Sequence, residues 1–191
     1  MQNSSSENYL AALKLEIQQK AKNGVDFITA ASILWFAISA IWLLEQSAYN
    51  KSIFTFMISG LMLPLAFGFS KIYATTWKIK GNPLQPLGMW INVAQLFYFP
   101  FLIFILLKSP DYFIMTFSII TGAHFLPYAW FYDELAYAIA AGFISIGSLI
   151  ITLNIEIEQM WMVPFFTACL LTLLGIIIFI RWKKMMAHVS S

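Results

Sequence analysis

Six apolar segments, each about as long as a bilayer is thick, dominate this chain. A transmembrane helix needs about 20 mostly apolar residues. The runs are continuous rather than alternating, which favours helices over the strands of a membrane barrel. With 60% hydrophobic and 10% charged residues, the 191-residue chain has more apolar surface than a soluble domain can bury. We therefore predict an all-α polytopic membrane protein, a bundle of six transmembrane helices at about 25–44, 52–70, 86–107, 112–131, 135–153 and 160–180.

Polar segments flank the predicted transmembrane domain, residues 25–181. Residues 1–24 form an amphipathic N-terminal segment with a short helix, in which Leu10, Leu13 and Ile17 recur at helical intervals. This helix either lies on the membrane surface or extends the first span. Residues 182–191 form a short C-terminal tail.

Basic residues fall mainly on one side of the predicted spans. Lysine and arginine mark the cytoplasmic side of a membrane protein, and an even number of spans places both termini on the same side. Only Lys51 and Lys108 fall on the other side. We therefore predict a multi-pass protein of the cell (inner) membrane with both termini in the cytoplasm. The nine residues on the predicted cytoplasmic side are Lys14, Lys20, Lys22, Lys71, Lys78, Lys80, Arg181, Lys183 and Lys184.

Composition and motifs exclude several classes of function. One cysteine, Cys169, cannot form an internal disulfide or a cysteine-held metal centre. A net charge of +2 does not indicate a nucleic-acid partner. The chain has no metalloprotease HExxH, no GxSxG nucleophile motif and no glycine-rich phosphate loop. We assign no catalytic residue, metal ligand or cofactor from the sequence.

Polar side chains within the spans are the main candidates for function, because each costs free energy in lipid. Asn92 and Gln95 share one face of span 3 and lie roughly 9–14 Å from its cytoplasmic end. His124 in span 4 lies about 10 Å from the same surface. The three side chains are therefore expected to converge in the inner half of the membrane. Thr29 and Ser32 of span 1 lie at a similar depth.

The end of span 4 combines a proline with an acidic turn. Pro127 lacks an N–H and displaces the carbonyl of Ala123, so we expect a kink there. Asp133 and Glu134 follow in a turn without basic residues. We expect these acids to pair with a lysine, Lys71 or Lys80, or to face the mouth of a cavity.

These residues support three hypotheses of function. The first is a protein that binds or transports a small amphipathic molecule or lipid through an inner-leaflet polar pocket. The second is an accessory or scaffold subunit, in which the polar residues only join helices; the partner would be a further copy or another membrane protein. The third is an intramembrane enzyme that pairs His124 with one of the acids. The candidate ligand-binding residues are His124, Asn92, Gln95, Tyr128, Trp130, Trp90, Tyr98, Thr29 and Ser32, with Pro127, Asp133 and Glu134 as gating or kink residues.

The stretch His124, Phe125, Leu126, Pro127, Tyr128 resembles a segment of small multi-pass bacterial membrane proteins. These proteins carry a His-Phe-Leu-Pro-Tyr segment late in a central span. The resemblance implies a bacterial inner-membrane setting and no particular chemistry.

Overall fold

A computed structural model describes residues 2–189, which form helices and short connections without a strand. Three 3-10 turns, at Lys22–Gly24, Pro110–Tyr112 and Ile157–Gln159, join some of the helices. Met1, Ser190 and Ser191, parts of the predicted terminal segments, lie outside the described residues. The helices are α1 (Gln2–Ala21), α2 (Val25–Trp42), α3 (Ala48–Ser59), α4 (Met62–Tyr73), α5 (Gln85–Leu96), α6 (Phe99–Lys108), α7 (Phe113–His124), α8 (Leu126–Phe131), α9 (Leu135–Asn154) and α10 (Met162–Val189).

The predicted fold class is confirmed: the described chain contains six helical segments that are long and apolar enough to cross a membrane. Single helices make the first, fifth and sixth spans, α2, α9 and α10. The second, third and fourth spans each combine two helices, α3 with α4, α5 with α6, and α7 with α8. This is a multi-pass membrane protein. Helix α10 continues to Val189, so the predicted tail begins as helix.

A proline follows each of the three breaks inside a span. The breaks lie at Gly60–Leu61, Phe97–Tyr98 and Phe125. Pro64, Pro100 and Pro127 follow within two to four residues. Proline removes one helical hydrogen bond and displaces the carbonyl four residues earlier, which accounts for a break in the helix near each of these positions. One of these breaks, at Phe125, lies two residues before Pro127, where the sequence predicts a kink.

Helices α2, α7, α9 and α10 form the centre of the bundle. Helix α10 packs along α2 and α9, and α7 packs along α9. The side chains of Ile114, Ile144, Leu171 and Ile178 are fully buried between them. Helices α3 and α4 cover α2, whereas α5 and α6 lie at the periphery and form the least buried span.

Small residues let α9 approach its neighbours closely. A Cβ atom on Gly147 would lie 2.5 Å from the ring of Phe166 on α10. On the other side, a Cβ on Gly122 of α7 would lie 2.6 Å from the Ser145 hydroxyl. These contacts leave no room for a side chain, and they fix the spacing of three helices.

Three buried hydroxyls connect the same helices. Ser118 Oγ on α7 lies 2.6 Å from both Ser148 Oγ on α9 and Thr167 Oγ1 on α10. Thr167 donates its proton to the Val163 carbonyl at 3.0 Å. Because each hydroxyl has one proton, Ser118 donates to Thr167 and Ser148 donates to Ser118. The relay satisfies all three hydroxyls in an apolar environment; we call Ser118, Ser148 and Thr167 the hydroxyl triad.

Helix α1 packs at the end of the bundle where α2 begins and α10 ends, which we call the terminal end. Lys22, Asn23 and Gly24 all have positive φ, so the chain turns sharply between α1 and α2. This turn separates α1 from α2, so α1 is not a straight continuation of α2. The Gln18 amide donates to the Tyr132 carbonyl, and the Trp182 indole donates to the Gln19 carbonyl at 3.3 Å.

The connection between the second and third spans holds α1 from the other side. The Thr76 N–H donates to the Lys20 carbonyl at 2.9 Å. The Asn82 amide donates to both the Leu13 carbonyl and a Glu16 carboxylate oxygen at 2.9 Å. Helix α1 is thus tied to three separate parts of the bundle.

Candidate functional site

A buried carboxylate lies at the start of α2, beneath α1. Asp26 is only 1% exposed. Its Oδ2 atom accepts hydrogen bonds from Thr75 Oγ1 at 2.5 Å and from Trp77 Nε1 at 2.7 Å, and Oδ1 accepts from the Phe27 N–H at 3.0 Å. Three donors and a helix N-terminus surround the carboxylate, and neither of the ion pairs among the described residues involves it. Asp26 therefore anchors the connection after α4 to the start of α2.

Stacked tyrosines fill the space beside this carboxylate. The ring of Tyr132 stacks on those of Tyr128 and Tyr137 with centroids 5.7 and 5.6 Å apart, and the rings of Tyr128 and Tyr137 are tilted at 5.8 Å. The Tyr137 hydroxyl donates to the Asn23 carbonyl at 2.5 Å. Burial raises the pKa of Tyr132 well above its ordinary value, so its hydroxyl stays protonated. A Cβ on Gly24 would lie 3.0 Å from that hydroxyl oxygen.

One of the two predicted gating acids forms an ion pair. Glu134 is 5% exposed, and its Oε1 atom lies 2.6 Å from the Arg181 guanidinium on α10. The same oxygen accepts the Ala136 N–H and caps α9. Its partner is thus an arginine of the last span rather than the expected Lys71 or Lys80. Asp133 is exposed, with a φ of 48°.

His124 and Asn92 meet where α7 contacts α5. His124 Nε2 lies 3.3 Å from Asn92 Oδ1. The Asn92 amide also donates to the Gly88 carbonyl at 3.1 Å, and the Tyr128 hydroxyl donates to that carbonyl at 3.2 Å. The edge of the Tyr128 ring packs on His124 with centroids 5.3 Å apart. These contacts join α5 to the bend between α7 and α8.

The other predicted wall residues lie around this contact but do not enclose it. Gln95 is half-buried, and no described hydrogen bond involves its side chain. Trp90 and Tyr98 are more than half exposed on α5 and between α5 and α6. Trp130 is half exposed, and the Lys14 ammonium of α1 lies 4.0 Å from its ring centroid.

Thr29 and Ser32 lie elsewhere, in an open groove between α2 and α10. The groove has a volume of about 380 Å³. Its lining does not include His124, Asn92 or Gln95. We call it the α2–α10 groove; its walls are Val25, Thr29, Ser32, Ile33 and Phe36 of α2, Tyr73 of α4, and Thr172, Gly175, Ile176 and Phe179 of α10.

The groove is apolar with a few hydroxyl groups. Thr29, Ser32 and Thr172 each donate to the carbonyl four residues earlier in their own helix, at 2.7–2.8 Å. Their oxygens therefore keep lone pairs that can accept hydrogen bonds. Tyr73 closes one side, with its hydroxyl 3.3 Å from Thr29 Oγ1. Such a site suits a mainly apolar ligand.

A second groove lies between α6 and α7. It has a volume of about 420 Å³ and lies where α6 leads into α7. Few polar groups line it, and basic side chains are absent from its described lining. Its walls are Phe101, Ile105, Ser109, Tyr112, Met115, Thr116, Ile119 and Ile120.

The sequence grouped Thr29 and Ser32 with His124 by depth, and it did not indicate the residues that line the groove with them. Among these residues are Tyr73, Thr172 and Phe179. They lie in long apolar segments, where no motif in the sequence distinguishes them from their neighbours. Asp26 did carry a signal, as an acid at the start of an apolar run. Its indole and hydroxyl donors lie in a short irregular segment some 50 residues later.

A family model matches residues 10–181 of the chain and is described as a family of unknown function, DUF7010. The chain belongs to this family. The matched range of this DUF7010 member begins inside α1 and ends at Arg181, so it includes all six spans and the partner of Glu134. No curated protein and no solved structure matches it.

Proposed function

We propose that the protein binds a small amphipathic molecule or lipid in the α2–α10 groove. The observation that carries the proposal is the groove itself. Its volume of about 380 Å³ is within the range of ligand sites, and its walls are apolar apart from a few hydroxyl oxygens. It extends along α2 from Val25 to Phe36, roughly 16 Å at 1.5 Å per residue. That length is about half of a ~30 Å hydrocarbon core.

The groove can be filled without disturbing the core of the bundle. Thr172 is exposed and faces the groove, so Thr172→Phe would occupy the space of a ligand. Leu173, the next residue of α10, is 53% exposed and does not line the groove. Leu173→Phe is therefore the matched control.

Native mass spectrometry on the gently extracted protein tests the proposal. The wild type and Leu173→Phe should carry a bound molecule of defined mass in stoichiometric amount, and Thr172→Phe should lose it. Retention of that molecule by a folded Thr172→Phe, or a wild type with only heterogeneous bulk lipid, would refute binding in this groove.

The His124 cluster is the second candidate for ligand contact. Asn92 is exposed beside His124, so a polar headgroup could replace its amide as the partner of the histidine. His124→Ala should then lower ligand retention while leaving the fold intact. Loss of the ligand in His124→Ala but not in Thr172→Phe would mean that the ligand binds at the contact between α5 and α7 instead.

The alternative function, an accessory or scaffold subunit, is favoured by the span made of α5 and α6. This span is the least buried of the six and contacts mainly α7, α8 and α3. A partner protein or a second copy would cover it. A defined protein that remains bound through gentle purification and is lost on Phe101→Ala/Phe104→Ala would support that function instead.

We also propose that the terminal end faces the cytoplasm, since nine of the eleven basic residues are assigned to that side. A C-terminal alkaline phosphatase fusion should be inactive in a bacterial host, whereas a fusion in the loop at Gln46 should be active. The reverse pattern would overturn this orientation.

A further inference from the structure

Two lysines lie at the mouth of the α2–α10 groove. Phe179 is the groove residue nearest the terminal end of α10, and Trp182 stacks on it with centroids 5.8 Å apart. The Lys183 ammonium lies 4.6 Å from the Phe179 centroid, and the Lys22 ammonium lies 4.5 Å from the Trp182 centroid. Lys22 also donates to the Tyr73 carbonyl at 2.6 Å. Two adjacent rings therefore hold two cations beside the groove.

Neither lysine has a carboxylate partner among residues 2–189. The two ion pairs in that range join Lys20 to Glu16 and Arg181 to Glu134. Lys22 uses one of its three N–H groups on a carbonyl, so it keeps donors for an anion. Lys183 is exposed and contacts only the face of a ring.

No described ion pair joins an acid of the terminal end to either lysine. Glu16 and Glu134 have cationic partners of their own. Asp26 already accepts three hydrogen bonds. The mouth of the groove therefore holds two lysine ammonium groups outside the described ion pairs, next to an apolar groove about half as long as the hydrocarbon core is thick.

From this charge complementarity we infer that the groove holds an anionic phospholipid of the surrounding leaflet. The inference rests on the function proposed above and specifies its ligand. The phosphate lies between Lys22 and Lys183, at the level where Trp182 marks the membrane interface. One acyl chain follows the groove from Phe179 toward Phe36. The hydroxyl groups of Thr29 and Ser32 already donate their protons to carbonyls of their own helix, so they do not compete for the headgroup phosphate.

Lipid titrations of the delipidated full-length protein in detergent test the inference. Phosphatidylglycerol and phosphatidylcholine with identical acyl chains are compared by native mass spectrometry, which counts bound lipids. The wild type should bind the anionic lipid more tightly. Lys183→Gln should weaken phosphatidylglycerol binding roughly fivefold, as expected for one basic residue near an anionic surface, and leave phosphatidylcholine binding unchanged.

Lys184 provides the control, because it is an exposed neighbour that does not contact the groove aromatics. Lys184→Gln should behave as the wild type. An equal loss in both variants would overturn the inference, because it would mean attraction to the whole basic surface. Equal binding of the two lipids, blocked by Thr172→Phe, would also overturn it but leave the proposed function standing. Lipid binding that Thr172→Phe does not affect would refute both this inference and the proposed function.

Discussion

Asp26 shows how a single buried charge organises the terminal end. Its carboxylate collects an indole N–H, a hydroxyl and a backbone N–H, and these donors come from two distant parts of the chain. Hydrogen bonds to a charged group are stronger than neutral ones, and leaving their donors unpaired in a buried site is costly. The position of the connection after α4 therefore depends on this one residue.

Replacing Asp26 by asparagine should destabilise the protein by about 1–3 kcal/mol, because the amide offers one acceptor oxygen in place of two and leaves a buried donor unpaired. Asp133→Asn is the matched control, since Asp133 is exposed and asparagine tolerates its positive φ. Its free energy of unfolding should change by less than about 0.5 kcal/mol. Equal stability of both variants in a denaturant titration in detergent would contradict the role given to Asp26.

Substitutions of Gly24 and Gly81 distinguish the cost of a strained backbone from the cost of a steric clash. Both have positive φ, at 73° and 85°, but only Gly24 lies against other atoms, the hydroxyls of Tyr132 and Tyr137. Alanine at either position should cost about 1–2 kcal/mol from the left-handed backbone. Gly24→Ala should cost clearly more, because its Cβ would meet a hydroxyl oxygen at 3.0 Å. Thermal unfolding of the two variants measures the difference in stability. Equal losses of stability would mean that the tyrosine rings move aside at no cost.

At the scale of elements, the long apolar runs predicted all six spans because lipid imposes a strict length requirement. The Pro127 kink followed from the same sequence reasoning, and the breaks before Pro64 and Pro100 obey the same rule. The position of α1 could not be predicted. It depends on three successive left-handed residues, and of these only Gly24 is a usual signal for that conformation.

Contacts in the candidate site could be predicted from the sequence only between residues that lie at the same depth in neighbouring spans. Asn92 and His124 lie at equal depth on consecutive spans, and their side chains do meet, at 3.3 Å. Gln95 shares that depth but takes no part in the contact. The α2–α10 groove joins residues more than 130 positions apart, such as Ser32 and Thr172. Since both helices are mostly apolar, with only a few hydroxyl residues, the sequence does not indicate which of their faces meet.

The hydroxyl triad makes a prediction about how α7, α9 and α10 are held together. Ser118→Ala removes two buried hydrogen bonds, each contributing about 0.6–2 kcal/mol within a membrane protein. The free energy of unfolding should fall accordingly. Ser59→Ala is the control, because Ser59 donates only to the Thr55 carbonyl of its own helix. A Ser118→Ala variant as stable as Ser59→Ala would show that glycine and aromatic packing alone sets the helix spacing.

At the scale of the whole molecule, several separate contacts hold the terminal end of the bundle together. They are the hydrogen bonds of α1, the donors to Asp26 and the Glu134–Arg181 pair, and none of them lies in the groove. The α2–α10 groove opens beside these contacts, with basic residues at its mouth. A charged entrance and an apolar groove about as long as one leaflet is thick are the features that a lipid site needs.

Photo-crosslinking with a lipid that carries a diazirine in its acyl chain tests the central claim most directly. One equivalent of this phosphatidylglycerol is added to the delipidated protein in detergent, and the labelled peptides are mapped after irradiation. Lipid binding in the groove predicts label concentrated in residues 25–36 and 172–179, and abolished by Thr172→Phe but not by Leu173→Phe. Label spread evenly over other exposed apolar faces, such as residues 101–107 and 139–153, would contradict it.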